Sequence, residues 1–180
     1  MRILAPITIL LVATITFHIA SADVADSAEN GFMVKNEAVI AASPDKVYAT
    51  LLHIGNWWDP EHTYSGDSRN MSIDARPGGC FCERLPHGGG VQHMTIVYLS
   101  PGKVLRMSGA LGPLQRLGVA GSLDWKMNAT DGGTRLELSY TVGGYRSGGL
   151  RELAAPVDSV LRGQLLRLKS FVETGHATAN

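Results

Sequence analysis

Apolar and polar positions alternate most regularly between residues 123 and 142. Leu123, Trp125 and Met127 repeat every second position, as do Leu136, Leu138, Tyr140 and Val142, while Asp124, Lys126, Arg135 and Glu137 take the other face. This predicts two neighbouring strands with one buried and one wet side. The same texture reaches back to Met71, in short β-type runs separated by Arg76-Pro77-Gly78-Gly79, Pro86 to Gly90, Ser100-Pro101-Gly102 and Thr130 to Gly133. An antiparallel meander is expected there. After a glycine-rich link, Gly143 to Gly149, the period changes. Leu153, Val157, Val160, Leu161, Leu165, Leu168, Phe171 and Val172 recur at three and four, and Gly175 closes the run. That pattern predicts a long amphipathic helix lying over the sheet. Pro156 should either kink it or mark its first turn, leaving Leu150 to Ala155 as a short separate helix. Nearer the N-terminus, Phe32 to Ala42 is β-rich. Ser43-Pro44-Asp45 then supplies an N-cap, a first-turn proline and an acid for a helix carrying Val47, Tyr48, Leu51 and Leu52. Gly55-Asn56 is its expected stop.

A strand, a helix, several antiparallel strands and a long C-terminal helix make an α+β arrangement, a curved sheet gripping a helix. Sheet and helix cannot fill the space between them everywhere, and the gap is the expected ligand pocket.

The ends add an address. Arg2 precedes an apolar run from Ile3 to Ala20, which ends in Ala20-Ser21-Ala22 before Asp23. This is the layout of a signal peptide, residues 1–22, cleaved after Ala22, and it implies a secreted or periplasmic protein. An uncleaved membrane anchor is the other reading, but the run is short and interrupted for a bilayer span of roughly 20 apolar residues. Residues 23–31 read as a flexible lead-in, 32–175 as one domain and 176–180 as a disordered tail. Acids and bases balance at 16 each, with no run of like charge. Nucleic acid and anionic membrane are thereby disfavoured as partners. Oligomeric state is not legible in the chain.

The Ser-Pro-Asp-Lys-Val-Tyr helix start at Ser43 to Tyr48, the Trp57-Trp58-Asp59-Pro60 segment, Pro77-Gly78-Gly79-Cys80-Phe81-Cys82-Glu83-Arg84 and Gly132 to Leu136 resemble the START-like SRPBCC superfamily. Its helix-grip members include polyketide cyclases, lipid-transfer domains and the domain of heat-shock-chaperone ATPase activators. The resemblance spans about Phe32 to Gly175 and implies a fold and a pocket but no reaction. An exported chain departs from the activators, which act on a cytosolic chaperone.

For chemistry, a hairpin turn centred near Gly88 would set Glu83 opposite His93 and Cys82 opposite Met94. The family pattern turns Phe81, and with it Glu83 and His93, inward. Glu83 would then fix the imidazole tautomer and make His93 a general base or a ligand anchor. A polar pair on the wet face is the alternative. Trp57, Trp58, His62 and Tyr64 are placed at the pocket mouth, one tryptophan being expected in the core. Phe81, Trp125 and Tyr140 belong to the buried face, where the Tyr140 hydroxyl needs a partner and could offer itself to a ligand. Cys80 and Cys82, two apart on a strand, project from one face with their sulfurs expected too far apart for an unstrained mutual bridge. A free thiol pair, an intermolecular disulfide, or a metal held with His93, His87 or His62 stay open. No Gly-rich phosphate loop, Gly-x-Ser-x-Gly elbow or His-Glu-x-x-His is present, and no cofactor is implied. Asn70 and Asn128 sit in glycosylation patterns.

The reading that follows is an exported binding protein for a small hydrophobic or amphipathic molecule held between sheet and C-terminal helix. A cyclase or hydratase-type enzyme using Glu83 and His93 is the alternative. A partner-binding module with a filled core is the third.

Overall fold

The computed structural model describes residues 22–178. The expected signal peptide lies outside the described residues but for its last position, Ala22. Eight strands form one antiparallel sheet in the order β1-β2-β8-β7-β6-β5-β4-β3, curved and unclosed. They run Ala22–Ala28 (β1), Gly31–Ile40 (β2), Met71–Ile73 (β3), Cys80–Arg84 (β4), Gly90–Ser100 (β5), Val104–Ser108 (β6), Gly118–Thr130 (β7) and Gly133–Tyr145 (β8). Helix α1, Pro44–Leu52, follows β2, and α2, Ala154–Thr174, ends the fold. The α+β helix-grip architecture is the one the alternation predicts.

Its core is built where the period-two pattern places it. Leu123 lies opposite Tyr140, Trp125 opposite Leu138 and Met127 opposite Leu136, all buried. Helix α2 presses Leu161, Leu165, Leu168 and Val172 into that face. Ser43 caps α1 by accepting from the Lys46 N–H at 3.4 Å. Pro156 falls in the first turn of α2, preceded by a 3-10 turn at Arg151–Leu153, and no kink interrupts the helix.

Two boundary expectations are corrected. Residues 23–31 are no flexible lead-in: β1 pairs with β2, with Asp23 opposite Lys35 and Ser27 opposite Phe32. Its turn is held by the Leu150 N–H to Glu29 carbonyl bond at 2.9 Å and the Gly144 N–H to Asn30 carbonyl bond at 3.1 Å. A small polar sequence suffices because an edge strand is joined by backbone groups that every residue except proline carries. The start of the expected disordered tail is also tied down. Ser170 Oγ donates to the His176 carbonyl at 2.8 Å, and Ala177 packs against the core.

One buried polar contact joins sheet and helix. Asn36 Nδ2 on β2 donates to Asp158 Oδ1 on α2 at 2.8 Å, and Asn36 Oδ1 has no partner among the described residues. Replacing Asn36 by Leu strips the buried carboxylate of this donor and should cost about 1–3 kcal/mol in urea unfolding. The double replacement Asn36→Leu with Asp158→Leu should recover most of it, since the uncompensated charge goes too. A double variant less stable than the single one would contradict this.

Candidate functional site

A cavity of 510 Å³ opens between the N-terminal half of α2, the segment after α1, and the loop joining β6 to β7. On the helix side its wall is apolar, with Leu153, Val157, Val160 and Leu161. Opposite stand Trp58, His62, Tyr64 and His93, and Leu111 to Leu114 with Arg116 form the third side. Cavities of roughly 300–1,000 Å³ are the usual size for small-molecule sites.

The polar group at its floor is a dyad. Glu83 on β4 and His93 on β5 are both buried, with His93 Nε2 3.0 Å from Glu83 Oε2. They meet by a route other than the expected hairpin register. Glu83 is opposite Val91 and Cys82 opposite Gln92, whereas Phe81 is opposite Met94. His93 is therefore the extra residue of a β-bulge. The bulge turns two consecutive side chains, His93 and Met94, to the buried face.

Around Glu83 the chain folds back after its 3-10 turn at Pro60–His62 so that the backbone N–H groups of Tyr64 and Ser65 both point at the carboxylate. Burial pushes the Glu83 carboxyl up, but the hydrogen bonds from Ser65, Tyr64 and His93 together outweigh it and hold it below the usual carboxylate range. For His93 burial outweighs the neighbouring carboxylate, and its imidazole is held below the ordinary histidine range. A neutral ring beside an ionised carboxylate must carry its hydrogen on Nε2, because the carboxylate only accepts. Nδ1 is then a bare acceptor. It has no hydrogen-bond partner among the described residues, and it belongs to a ring that lines the cavity.

The other expected site residues divide sharply. Trp58 lines the cavity, its Nε1 donating to the His62 carbonyl at 3.0 Å and its ring packed edge-on against Phe81. Tyr64 stacks 6.0 Å from the His93 ring and donates its hydroxyl to the Gly112 carbonyl at 2.9 Å. His62, half-exposed, lies 3.6 Å from Asp59. Trp57, Phe81 and Trp125 are core residues that do not reach the cavity. Tyr140 does not offer its hydroxyl to a ligand. It donates to the Gly109 carbonyl and accepts from the Leu111 N–H, each at 3.1 Å, which pins the start of the third wall. Burial pushes that phenol up to about 12.

The metal alternative is overturned for the cysteines. Cys80 and Cys82 are bonded to each other, with their Cα atoms 5.3 Å apart. Their thiolates are not available, and no group of three or more His, Cys, Asp or Glu among the described residues could hold an ion. The mutual bridge, set aside on ideal strand spacing, forms because the chain is contracted there.

Sequence reasoning missed the third wall, Leu111 to Arg116, and placed Val157 and Val160 only on the helix face that lies over the sheet. Gly109, at φ +154° with the His93 carbonyl 2.8 Å from where a Cβ would sit, was the available signal that the chain turns tightly over the site.

Comparison with known proteins agrees with this geometry. No curated protein matches the chain in sequence. Among solved structures, CalU16 from Micromonospora echinospora is 16% identical, with 88% of this chain and 86% of that one covered at a TM-score of 0.56. The Aha1 dimer from Colwellia psychrerythraea is 20% identical, with 79% and 97% covered at 0.55. Ara h 8.0201 is 16% identical, with 79% and 97% covered at 0.57. At these identities the likeness shows the fold. The family model described as polyketide cyclase / dehydrase and lipid transport matches residues 32–173, so most of the chain is accounted for, and the chain belongs to that family.

Proposed function

We propose that this protein is an exported carrier or receptor for a small amphipathic molecule, whose apolar body lies along α2 and whose hydrogen-bond donor meets His93 Nδ1. The single observation that carries the reading is a cavity with an apolar helix wall that is also lined by His93, whose Nδ1 has no hydrogen-bond partner among the described residues. Such a site rewards a ligand that is mostly apolar and ends in one O–H or N–H group. The family description, which includes lipid transport, supports the class of ligand. Export rests on the charge and apolar pattern of residues 1–22.

The test uses the full chain. Native mass spectrometry of protein from its own compartment should show a mature N-terminus at Asp23 and a bound small molecule. Filling the cavity with Val157→Trp should abolish that adduct while circular dichroism stays unchanged. His93→Gln, which keeps a donor to Glu83, should weaken binding about tenfold by removing the acceptor. A cavity-filled variant that still copurifies with the molecule would overturn the reading.

The neutral His93 with its bare Nδ1 also favours a second reading, proton transfer on the bound ligand in the manner of a cyclase or dehydrase. It requires the ligand to leave chemically altered, and His93→Gln to bind but not convert it.

A further inference from the structure

Most polar side chains that line the cavity are already engaged by the protein itself. The Tyr64 hydroxyl donates to the Gly112 carbonyl, the Thr63 hydroxyl to the Pro60 carbonyl, and His62 faces Asp59. Besides His93 Nδ1, two groups of the lining are left over: the Arg116 guanidinium on the third wall and the Glu61 carboxylate beside His62. Neither side chain has a hydrogen-bond or ion-pair partner among the described residues, and the two do not pair with each other. Other arginines are engaged. Arg69, Arg106, Arg135 and Arg151 each meet an acid, and Arg167 meets the Trp57 carbonyl. Arg84 and Arg162 are also unpaired, but neither lines the cavity.

Arg116 is exposed as well as lining the cavity, so it belongs to the mouth. Its backbone is fixed although its side chain is free. The residue ends a 3-10 turn, Gly112–Arg116, in which Leu114 is buried and Gln115 Nε2 donates to the Gln92 carbonyl at 2.9 Å, one residue from His93. The Leu117 N–H closes the turn on the Leu114 carbonyl at 3.0 Å. An unpaired guanidinium held in place beside an apolar cavity matches the oxygen pair of a carboxylate, which its fork of N–H groups meets bidentately. Helix α2 contributes no charge to the lining, and Glu61 contributes a negative one. A singly charged carboxylate therefore meets less repulsion there than a phosphate monoester would.

We propose that the cavity selects apolar hydroxy acids, with Arg116 holding the carboxylate at the mouth and the ligand's hydroxyl reaching His93 at the floor. This rests on the ligand reading above and narrows it to a chemical class.

Calorimetric titration of the protein with ω-hydroxylaurate, and with the neutral diol of the same chain length, tests it. The acid should bind about fivefold more tightly than the diol, the upper end for an exposed charge pair, and the advantage should shrink in about 1 M salt. Arg116→Gln should remove the preference and leave the diol unaffected. Glu61→Gln should bind the acid at least as tightly as wild type. Arg84→Gln, which takes an unpaired arginine from outside the cavity, should change neither affinity. Equal affinity for acid and diol, a preference that survives Arg116→Gln, an equal loss in Arg84→Gln, weaker acid binding in Glu61→Gln, or tighter binding of lauryl phosphate than of the acid would overturn this inference and leave the ligand reading standing. If neither probe binds, or both bind Val157→Trp as well as wild type, the two readings fall together.

Discussion

Replacing Glu83 by Ala should destabilise the protein by about 3–5 kcal/mol, the range for removing one partner of a buried charged pair. The carboxylate has three neighbours that depend on it: the backbone N–H groups of Tyr64 and Ser65 and the His93 ring. Without it two backbone donors and an imidazole N–H are stranded in a site that water reaches poorly. Urea unfolding measures the loss, and a cost below about 1 kcal/mol would show that the loop from Pro60 to Asp67 repairs itself.

The same pair dictates how stability responds to acid. His93 has its folded value depressed below the ordinary 6.5, so its contribution is complete above that pH and is lost as pH falls through the depressed value. Glu83 is depressed below the ordinary 4.5, so its contribution is complete above that pH and disappears on further acidification. Both act in one direction. Stability should begin to fall below about pH 6.5 and fall again below about pH 4.5, and His93→Gln should remove only the upper stage.

Trp57→Ala should cost a comparable amount, about 3–5 kcal/mol, through the cavity it leaves. Trp57 is fully buried and joins three parts of the molecule. Its ring meets Trp125 of β7 edge-on at 6.0 Å, its Nε1 donates to the Thr50 carbonyl in α1 at 3.2 Å, and its own carbonyl accepts from Arg167 of α2 at 3.0 Å. Trp57→Phe should cost less than half as much. It keeps most of the apolar volume, and the Thr50 carbonyl retains the His53 N–H at 3.1 Å. Equal losses in the two variants would place the energy in the indole hydrogen bond instead of the packing. Neither variant should alter ligand contacts directly, because Trp57 does not line the cavity.

The elements legible in residue order are those whose signal is local. Alternation over residues 123–142 and the three-four repeat from Leu153 to Val172 each describe which side of one element is apolar, and that property survives unchanged into β7, β8 and α2. Asn36 breaks the same alternation at an inward position of β2. Its partner Asp158 lies 122 residues away, so no local pattern announces the pair.

Glu83 and His93 show the boundary most clearly. Their chemistry and their place on facing strands are readable from the chain, but ideal pairing would set them directly opposite each other. The actual register sets Glu83 against Val91, and the two meet because β5 carries an additional residue, His93, at that point. The cavity wall at Leu111 to Arg116 is equally hidden, since a short loop has no period and its position depends on Tyr140 and Tyr64, distant in sequence, holding it. Residue order alone settles which faces are apolar, because burial repeats with the period of each strand or helix. Register, bulge, disulfide and cavity are settled in three dimensions, because each balances pairings between segments far apart in the chain, and a single-residue offset changes which side chains meet.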